Sequence, residues 1–404
     1  MDPIRHRYVA AGLGFFLVAN TFLVPGLAAS PRATDPLGLL LGVWWLVRAH
    51  RRGVPAAPLA LLAAALIMPV VWLGKGLLDS ETTTVSQAAR WVLAVPWALT
   101  MLLIMDDTAA RGRFVWGLVW GCGVGVAIVM LQVAGLDGLL QRLGLSASDS
   151  TYHWVYAQVR VPGMHGHANA SSAVISLIAP GVMVLYLRHG VRFWVPVGGL
   201  LAMLLAMHLT STRSPLIVAL PVVGLALLLS RRPGRALPLL LLLALGAVVF
   251  VAVFGLPGGA VRWGDMLALQ ANADERLTSN RASLALIAAH PLGLGAVGGK
   301  RALLDAVAIP ATHNAFLQAG LYFGAPLALL LVAAVLGHAG RLLTSSRGRE
   351  FFAGLMAVQV GGLFMFEEHL NNPTFVILAC WLVASLVPRR APAGAAATPP
   401  APGS

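Results

Sequence analysis

Residues 236–256 read ALPLLLLLALGAVVFVAVFGL, a run that contains no charged side chain. At 1.5 Å per residue, one helix of this length crosses the roughly 30 Å hydrocarbon core of a bilayer. The whole chain of 404 residues has the same character, because 58% of it is hydrophobic and 11% is charged, whereas soluble domains are about one quarter charged. The composition excludes a soluble enzyme and predicts an all-α polytopic membrane protein.

Twelve stretches have, or nearly have, the length and apolarity of membrane-spanning helices. They are residues 8–30, 36–48, 55–74, 91–105, 114–136, 170–187, 193–209, 214–230, 236–256, 314–337, 351–366 and 373–387. Internal prolines are acceptable there, since neighbouring helices of a bundle tolerate them. The sequence therefore predicts about 12 transmembrane helices in a single integral membrane domain, residues 1–387, followed by an Ala/Pro-rich tail, residues 388–404, that we expect to be disordered.

Positive charge is distributed unevenly between the two predicted membrane faces. If the termini and every second loop are assigned to one face, that face carries 17 of the 28 Lys and Arg residues and four of the 15 acidic residues. Cytoplasmic loops are enriched in Lys and Arg. The bias predicts cytoplasmic termini and two long periplasmic loops, about 137–169 and 257–313. Nucleic acid is not an expected partner, because the basic residues form short groups between apolar runs.

Two arginines lie on the predicted exterior face, close to the membrane surface. Arg160 precedes the glycine-rich turn Gly163–Asn169, and Arg213 lies in a short turn between two predicted spans. Charged groups near membrane depth are costly and indicate functional sites, and a guanidinium group carries paired donors that fit phosphate oxygens. The alternatives are a solvated Arg160 beside a turn capped by Asn169, and an Arg213 side chain that extends to lipid headgroups.

A histidine lies where the second long loop enters the tenth predicted span. His313 is followed by Asn314, and a histidine can exchange a proton near neutral pH. A plain helix-capping role for the pair is the alternative. Upstream, Gly293, Gly295 and Gly298 form a GxGxxG pattern, but no strand is predicted around it, so we reject a dinucleotide-binding fold.

The predicted exterior face offers few carboxylates for a metal ion. The cluster Glu367-Glu368-His369 is the only acidic group near a span end on that face, and a solvated helix end or an ion pair with an arginine is favoured over a metal site. His165 and His167 lack further obvious ligands for zinc. We therefore expect no metal ion and no cofactor.

These motifs together resemble the O-antigen ligase and polymerase superfamily of bacterial envelope enzymes. The shared features are an arginine before a Gly/Asn turn, an arginine in a short exterior loop, a His-Pro-Leu-Gly-x-Gly stretch, and a His-Asn pair before a helix with a glycine. Here they are Arg160 with Gly163 and Asn169, Arg213, residues 290–295, and His313 and Asn314 with Leu317 and Gly324. The likeness covers about residues 160–330. Tyr322 departs from it, since many members place a glutamate two residues before the glycine.

The resemblance implies a metal-independent membrane glycosyltransferase of the GT-C-like type in the bacterial inner membrane. Such enzymes take a glycan from undecaprenyl pyrophosphate on the periplasmic face. In the ligases the acceptor is a sugar hydroxyl of lipid A-core, which completes lipopolysaccharide, and this is the reading we favour. The alternatives are an O-antigen polymerase, a protein O-oligosaccharyltransferase and, outside the enzymes, a lipid-linked glycan flippase.

The chemistry of such a transfer assigns roles to the residues. Cleavage of a sugar–pyrophosphate bond leaves negative charge on the departing phosphate, which fixed positive charge stabilises. Arg160 and Arg213 are the candidates for this task. His313 is the candidate for accepting the proton of the attacking hydroxyl or, alternatively, for orienting the acceptor or contacting a phosphate as imidazolium. Further candidates for substrate binding are Asn314, Arg142, Arg281, His165, His167 and Asn169.

Overall fold

The computed structural model describes residues 3–21, 31–146, 153–155, 158–230, 233–255, 266–344 and 348–387. Within these ranges the chain is helical apart from its connecting loops and one short β-hairpin. The end of the first predicted span (22–30), the start of the second long loop (257–265) and the predicted tail (388–404) lie outside the described residues.

The helices of the first half are α1 (Pro3–Val18), α2 (Thr34–Arg52), α3 (Ala56–Leu78), α4 (Thr82–Asp106), α5 (Thr108–Val133), α6 (Asp137–Arg142), α7 (Ala168–Ile175) and α8 (Ile178–His189). Strands β1 (His153–Val155) and β2 (Gln158–Arg160) pair antiparallel between α6 and α7. The second half contains α9 (Trp194–Leu209), α10 (Ser214–Leu228), α11 (Pro233–Phe254), α12 (Met266–Ala289), α13 (Gly295–Val307), α14 (Ala315–Phe323), α15 (Ala325–Thr344), α16 (Gly348–Phe364), a 3-10 helix (His369–Asn371) and α17 (Pro373–Ala384).

Six helical segments of the described chain are long and apolar enough to cross a membrane. They are α3, α4, α5, the consecutive pair α7–α8, residues Ala236–Val253 of α11, and α15. Shorter apolar helices accompany them in α1, α9, α10 and α17. The chain is therefore a polytopic membrane protein, as its composition predicts. Each predicted span overlaps one or two helices of the described residues, whereas the number of twelve crossings and the orientation stay predictions.

Two predicted segments differ from the structure. The predicted span 314–337 is two helices, because Gly324 has a φ of 99°, a left-handed conformation that ends an α-helix and favours glycine. The second long loop is mostly helical from residue 266 onward, since it contains α12 and α13. Most described side chains of α12 are exposed, so this helix lacks the periodic apolar face from which helices are predicted.

The His-Pro-Leu-Gly-Leu-Gly stretch, residues 290–295, contacts the turn at Gly324 through main-chain atoms. The N–H of Ala325 donates to the carbonyl oxygen of Pro291 at 2.8 Å. A Cβ atom at Gly293 would lie 2.6 Å from the carbonyl oxygen of Tyr322, and one at Gly324 would lie 2.7 Å from that of Pro291. The motif is therefore a structural joint that fixes the end of α12 against the junction of α14 and α15.

Helices α1 and α5 are held together by glycines that let the two backbones touch. A Cβ atom at Gly14 of α1 would lie 2.0 Å from the carbonyl oxygen of Phe114, and one at Gly117 of α5 would lie 1.9 Å from that of Ala11. In a membrane the hydrophobic effect does not drive helices together, and small residues at the interface permit close van der Waals packing instead. The glycines at 117 and 121 of α5 thus form the surface to which α1 binds.

Replacement of Gly117 by alanine is expected to destabilise the folded protein by about 1–3 kcal/mol, because the added methyl group must displace the backbone of α1. Thermal unfolding of the detergent-solubilised protein measures the effect. Gly123→Ala on the same helix is the matched control, since a Cβ atom there meets nothing within 4 Å. Equal unfolding temperatures for the two variants would contradict the packing described here.

Candidate active site

Arg160 ends strand β2, and its guanidinium group is buried at one end of the bundle. The residue is 8% exposed. Its Nε donates to the carbonyl oxygen of Thr210 at 3.3 Å, and its Nη2 donates to Oδ1 of Asn169. A buried charge needs such acceptors to offset its lost hydration. Arg160 is therefore held between the turn that follows α9 and the first turn of α7.

The turn between α9 and α10 brings Arg213 to the same place. Oγ1 of Thr210 lies 2.7 Å from Oγ of Ser172 and 2.9 Å from Oγ1 of Thr212. Ser211 has a φ of 51°, a region that costs a non-glycine residue about 1–3 kcal/mol and that is enriched at functional sites. Arg213 is the N-cap residue of α10, so its side chain starts beside the positive end of that helix.

A third arginine, Arg276 of α12, joins them, and the sequence analysis did not single it out. Its Nη1 donates to the carbonyl oxygen of Phe366, and its Nη2 lies 3.2 Å from Oε1 of Glu367. Nε donates to Oδ1 of Asn272, one helical turn earlier, at 2.8 Å. The feature of the sequence that could have pointed to Arg276 is its i, i+4 spacing from Asn272. This spacing is too common on polar helices to indicate a site.

The three arginines line one cavity of about 310 Å³, which we call the arginine cavity. Its wall also contains Glu367 and the first turn of α10. Three guanidinium groups and one carboxylate leave two positive charges in excess. Guanidinium groups and helix N-termini both bind phosphate oxygens well, and the volume is in the range of small-ligand sites, about 300–1,000 Å³. The arginine cavity is therefore suited to a doubly charged phosphate group.

Glu367 connects the arginine cavity to the histidine. Its Oε1 accepts from Nδ2 of Asn169 at 2.7 Å and from Nη2 of Arg276 at 3.2 Å. Its Oε2 lies 3.9 Å from Nδ1 of His313, which is ion-pair rather than hydrogen-bond range. Burial raises the pKa of Glu367, but the facing His313 and the charge of Arg276 outweigh it and lower the pKa to about 2. The carboxylate is therefore ionised at neutral pH.

His313 is placed by the helix cap that follows it. Oδ1 of Asn314 accepts from the N–H groups of Phe316 at 2.9 Å and Leu317 at 3.1 Å, and so caps α14. His313 itself has a φ of 49°, which again is uncommon for a residue with a side chain. The preceding Thr312 donates its N–H to Oε1 of Glu368 at 2.8 Å. The cap and this contact fix the backbone on both sides of the imidazole.

Two carboxylates face the two ring nitrogens of His313. Nδ1 faces Glu367, and Nε2 lies 3.4 Å from Oε1 of Glu275, whose side chain is 50% exposed. Glu367 is the main cause of a raised pKa for His313, to which Glu275 adds, while burial and Arg276 act in the opposite direction. The buried Nδ1 of the imidazole therefore faces Glu367 within ion-pair range, and its Nε2 faces the half-exposed carboxylate of Glu275.

The acid partner of His313 comes from a part of the chain that the family pattern does not indicate. Tyr322, which stands where many members carry a glutamate, is 2% exposed and its ring lies against Gly299. The carboxylate is supplied instead by Glu367, which follows α16. The sequence analysis named this residue within an acidic cluster and favoured a helix end or an ion pair with an arginine, and the contact with Arg276 confirms the ion pair.

A second cavity of about 290 Å³, which we call the amide cavity, lies on the other side of Glu367. It shares Asn169 and Glu367 with the arginine cavity, and its remaining polar lining comes from Arg32, His165, His167, Glu368, His369, Asn371 and Asn372. Burial and the charge of Arg32 lower the pKa of His165 to about 3, so its imidazole is neutral. The amide cavity thus presents mainly uncharged donors and acceptors.

Asn371 fixes the loop that carries Glu367 and Glu368. Its Oδ1 accepts from Nε2 of Gln87 and from Nε2 of Gln318, both at 2.8 Å, and its carbonyl oxygen accepts from Nη1 of Arg90 at 2.6 Å. These partners belong to α4 and α14. Because they are far apart along the chain and form no local motif, sequence reasoning did not find them.

His167 caps α7, whereas the alternative considered for the sequence was a cap by Asn169. Nδ1 of His167 accepts from the N–H of Asn169 at 3.2 Å. The side chain of Asn169 is therefore available to bridge Arg160 and Glu367, with its oxygen toward the guanidinium group and its nitrogen toward the carboxylate.

The structure brings most predicted site residues together and leaves two apart. Arg160, Arg213 and Asn169 line the arginine cavity, His165 and His167 line the amide cavity, and His313 and Asn314 lie beside Glu367. Arg142 and Arg281 are exposed and line neither cavity, so their contact with substrate stays a prediction. Arg281 lies five residues after Arg276 and therefore points about 140° away from it around the helix. In α6 the buried residue is Leu140 and not Arg142.

Metal-ligating side chains are dispersed in the part of the chain that the structure describes. No group of three or more His, Cys, Asp or Glu side chains there is arranged to hold a metal ion. At the site itself, the carboxylate of Glu367 is already bound by Asn169 and Arg276.

Arg276→Gln is expected to weaken the binding of inorganic pyrophosphate by about tenfold or more, because one of three charge-assisted donors is lost. Isothermal titration calorimetry on the purified protein measures this affinity. Arg301→Gln is the control, as Arg301 is an exposed arginine of α13 outside both cavities. An unchanged affinity in Arg276→Gln, or an equal loss in both variants, would refute the assignment of the arginine cavity.

Comparison with known protein families agrees with these features. The family model described as O-antigen ligase matches residues 198–332, about a third of the chain. The matched region contains Arg213, Arg276 and His313, whereas Arg160 and Glu367 lie on either side of it. No curated protein matches the chain. The family match confirms the resemblance that the motifs indicate, because residues 198–332 of this chain are similar to the O-antigen ligase family.

Proposed function

We propose that the protein is an O-antigen ligase, which transfers a glycan from undecaprenyl pyrophosphate to a sugar hydroxyl of lipid A-core and so completes lipopolysaccharide. The observation that carries the proposal is the convergence of Arg160, Arg213 and Arg276 on one cavity beside His313 and Glu367. A polymerase or a protein O-oligosaccharyltransferase would share the phosphate chemistry and differ in the acceptor.

The arginine cavity is the proposed site of the donor pyrophosphate. As the bond between the anomeric carbon and the pyrophosphate oxygen breaks, the electron pair stays on that oxygen and its charge must be stabilised. The arginines supply permanent charge and fixed donors, which act without reorganisation at the moment of reaction. They take the role that a divalent ion has in other glycan transferases, so we propose a metal-independent reaction.

His313 is the proposed general base. The acceptor hydroxyl approaches Nε2 in place of the half-exposed Glu275, its oxygen bonds to the anomeric carbon, and its proton passes to Nε2. Glu367 holds the ring through Nδ1 and stabilises the imidazolium that forms, as a carboxylate does for other histidine bases. Asn314 contributes by fixing the backbone at the base.

The amide cavity is the proposed site of the acceptor sugar. Neutral imidazole and amide groups such as those of His165, Asn371 and Asn372 match the donor and acceptor pattern of sugar hydroxyls. Asn169 and Glu367 line both cavities, which supports a proposed acceptor site next to that of the donor phosphate. His167 lies at the open side of this cavity, since its side chain is exposed.

The orientation that we propose follows from the charge bias of the loops. Both termini and the arginine-rich loops face the cytoplasm, and the two cavities face the periplasm on the outer side of the bacterial inner membrane. A lipid-linked donor then reaches the arginine cavity sideways from the outer leaflet. A reagent that does not cross membranes would label a cysteine introduced at position 313 from the periplasm, and labelling only from the cytoplasm would reverse the topology.

The pH dependence of transfer tests the role of His313. A base acts when it is neutral, so kcat/KM should rise with pH through the pKa of His313, which its carboxylates hold above the ordinary value of about 6.5. Glu367→Gln removes the main cause of the raised pKa, so this limb should move to lower pH while the maximal rate falls. Asp305→Asn, at an exposed carboxylate of α13, should leave the limb in place. A rate that instead decreases with pH through this range would indicate that His313 acts in its protonated imidazolium form.

Separate Michaelis constants test the two cavities. His165→Ala should raise KM for the acceptor about fivefold to tenfold, the size of one lost hydrogen bond, and leave KM for the donor within about twofold. Arg276→Gln should raise KM for the donor instead. The opposite pattern, with a raised donor KM in His165→Ala and a raised acceptor KM in Arg276→Gln, would contradict the assignment of both cavities.

The decisive experiment incubates the purified protein with an undecaprenyl pyrophosphate-linked glycan and lipid A-core in the presence of EDTA. We expect glycosylated lipid A-core, and a loss of about 10²-fold or more in Arg160→Gln and in Arg213→Gln. Longer lipid-linked glycan without this conjugate would reassign the protein as a polymerase. Activity that disappears only with EDTA would overturn the metal-independent reaction, and full turnover in both arginine variants would overturn the mechanism.

A further inference from the structure

A third cavity lies at the opposite end of the bundle from the two already described. It has a volume of about 390 Å³ and is lined by Arg7, Ala109, Gly112, Arg113, Trp116 and His189. The consecutive helices α7 and α8 run from the wall of the arginine cavity to His189 over 22 residues, enough to cross a membrane. The third cavity therefore opens at the other membrane face, where α1 and α5 begin.

The cavity carries two arginines, Arg7 and Arg113, that no acidic side chain among the described residues pairs with. Arg7 and Arg113 are exposed, and neither has a hydrogen bond or ion pair within the described part of the chain. The two aspartates that precede Arg113 by six and seven residues are already engaged, because Asp106 pairs with Arg349 at 2.8 Å and Asp107 caps α5. No carboxylate is among the residues that line this cavity, in contrast to the arginine cavity with its Glu367.

The remaining lining is that of an interfacial pocket. Trp116 is half-buried, and tryptophan is enriched at the boundary between hydrocarbon and water. The imidazole of His189 lies against Gly112, where a Cβ atom would be 2.8 Å from its Cε1. Nε2 of His189 is buried and has no hydrogen-bond partner among the described residues. The pocket thus combines two cations, an unused imidazole nitrogen and an apolar ring.

We propose that this cavity binds the phosphodiester headgroup of an anionic phospholipid of the adjacent leaflet. The guanidinium groups of Arg7 and Arg113 contact the phosphate oxygens, and the indole of Trp116 packs against the glycerol and the first acyl carbons. Basic pockets between membrane helices bind acidic headgroups in this way. The bound lipid joins the first turns of α1 and α5 to the end of α8. The site is independent of the glycan-transfer reaction.

Native mass spectrometry of the purified full-length protein tests the proposal. Phosphatidylglycerol and phosphatidylcholine with identical acyl chains are offered at equal concentration, and we expect preferential retention of phosphatidylglycerol. The double variant Arg7→Gln/Arg113→Gln should lower that retention about tenfold or more, in line with the attraction of each basic residue to acidic lipid. Arg7→Lys/Arg113→Lys should keep most of it. Arg192→Gln is the matched control, an exposed arginine outside the cavity.

Equal retention of the two lipids, or an equal loss in Arg192→Gln and the double variant, would overturn the proposal. A further measurement adds inorganic phosphate to the protein and phosphatidylglycerol, at the same concentration as the lipid. Undisturbed lipid binding supports a headgroup site, whereas full competition by phosphate would reduce the cavity to a site for free anions and overturn the lipid assignment. Far-ultraviolet circular dichroism and gel filtration confirm that each variant is folded before it is compared.

Discussion

The buried carboxylate of Glu367 is the interaction on which the functional end of this molecule depends. Three arginines directed at one cavity repel one another, and a buried carboxylate without partners is costly. Placed together, each group offsets the cost of the other: Glu367 accepts from Asn169 and Arg276 and faces His313. Because these partners belong to α7, α12 and the loop before α14, one side chain ties together three segments that are distant in sequence.

The same carboxylate separates two chemical environments. On one side the arginine cavity keeps an excess of positive charge, and on the other the amide cavity offers mainly neutral hydrogen-bonding groups. A pyrophosphate and a sugar need these two environments, and a transfer between them needs the two ligands in contact. The supporting network at Asn371 is half-buried and hydrogen-bonded to Gln87 and Gln318, which fits the general observation that catalytic groups are held by a rigid surrounding shell.

Particular residues show how far sequence reasoning reached into the site. Arg160, Arg213 and His313 could be singled out because charge near the membrane surface is rare and each lies next to a predicted span. Arg276 and Glu367 could not be assigned, because they lie in polar segments where charged residues are ordinary and because their significance is a contact across 91 residues of chain. Arg281 shows the converse limit, since the sequence cannot tell which face of a long polar helix is directed at the cavity, and this arginine lines neither cavity.

The sequence by itself determined that this is a polytopic helical membrane protein, because apolar runs of about 20 residues cross a bilayer as helices that satisfy their own backbone hydrogen bonds. It also indicated a resemblance to the O-antigen ligase superfamily, through motifs 290–295 and 313–314, and it favoured one membrane face for the chemistry through the charge bias of the loops. Only the tertiary structure decided that residues 290–295 form a backbone joint, that Glu367 and not position 322 supplies the acid, and that a third arginine completes the cavity. These features are contacts between segments that are distant in sequence. They depend on how the helices pack together, and the periodicity of the sequence does not encode that packing.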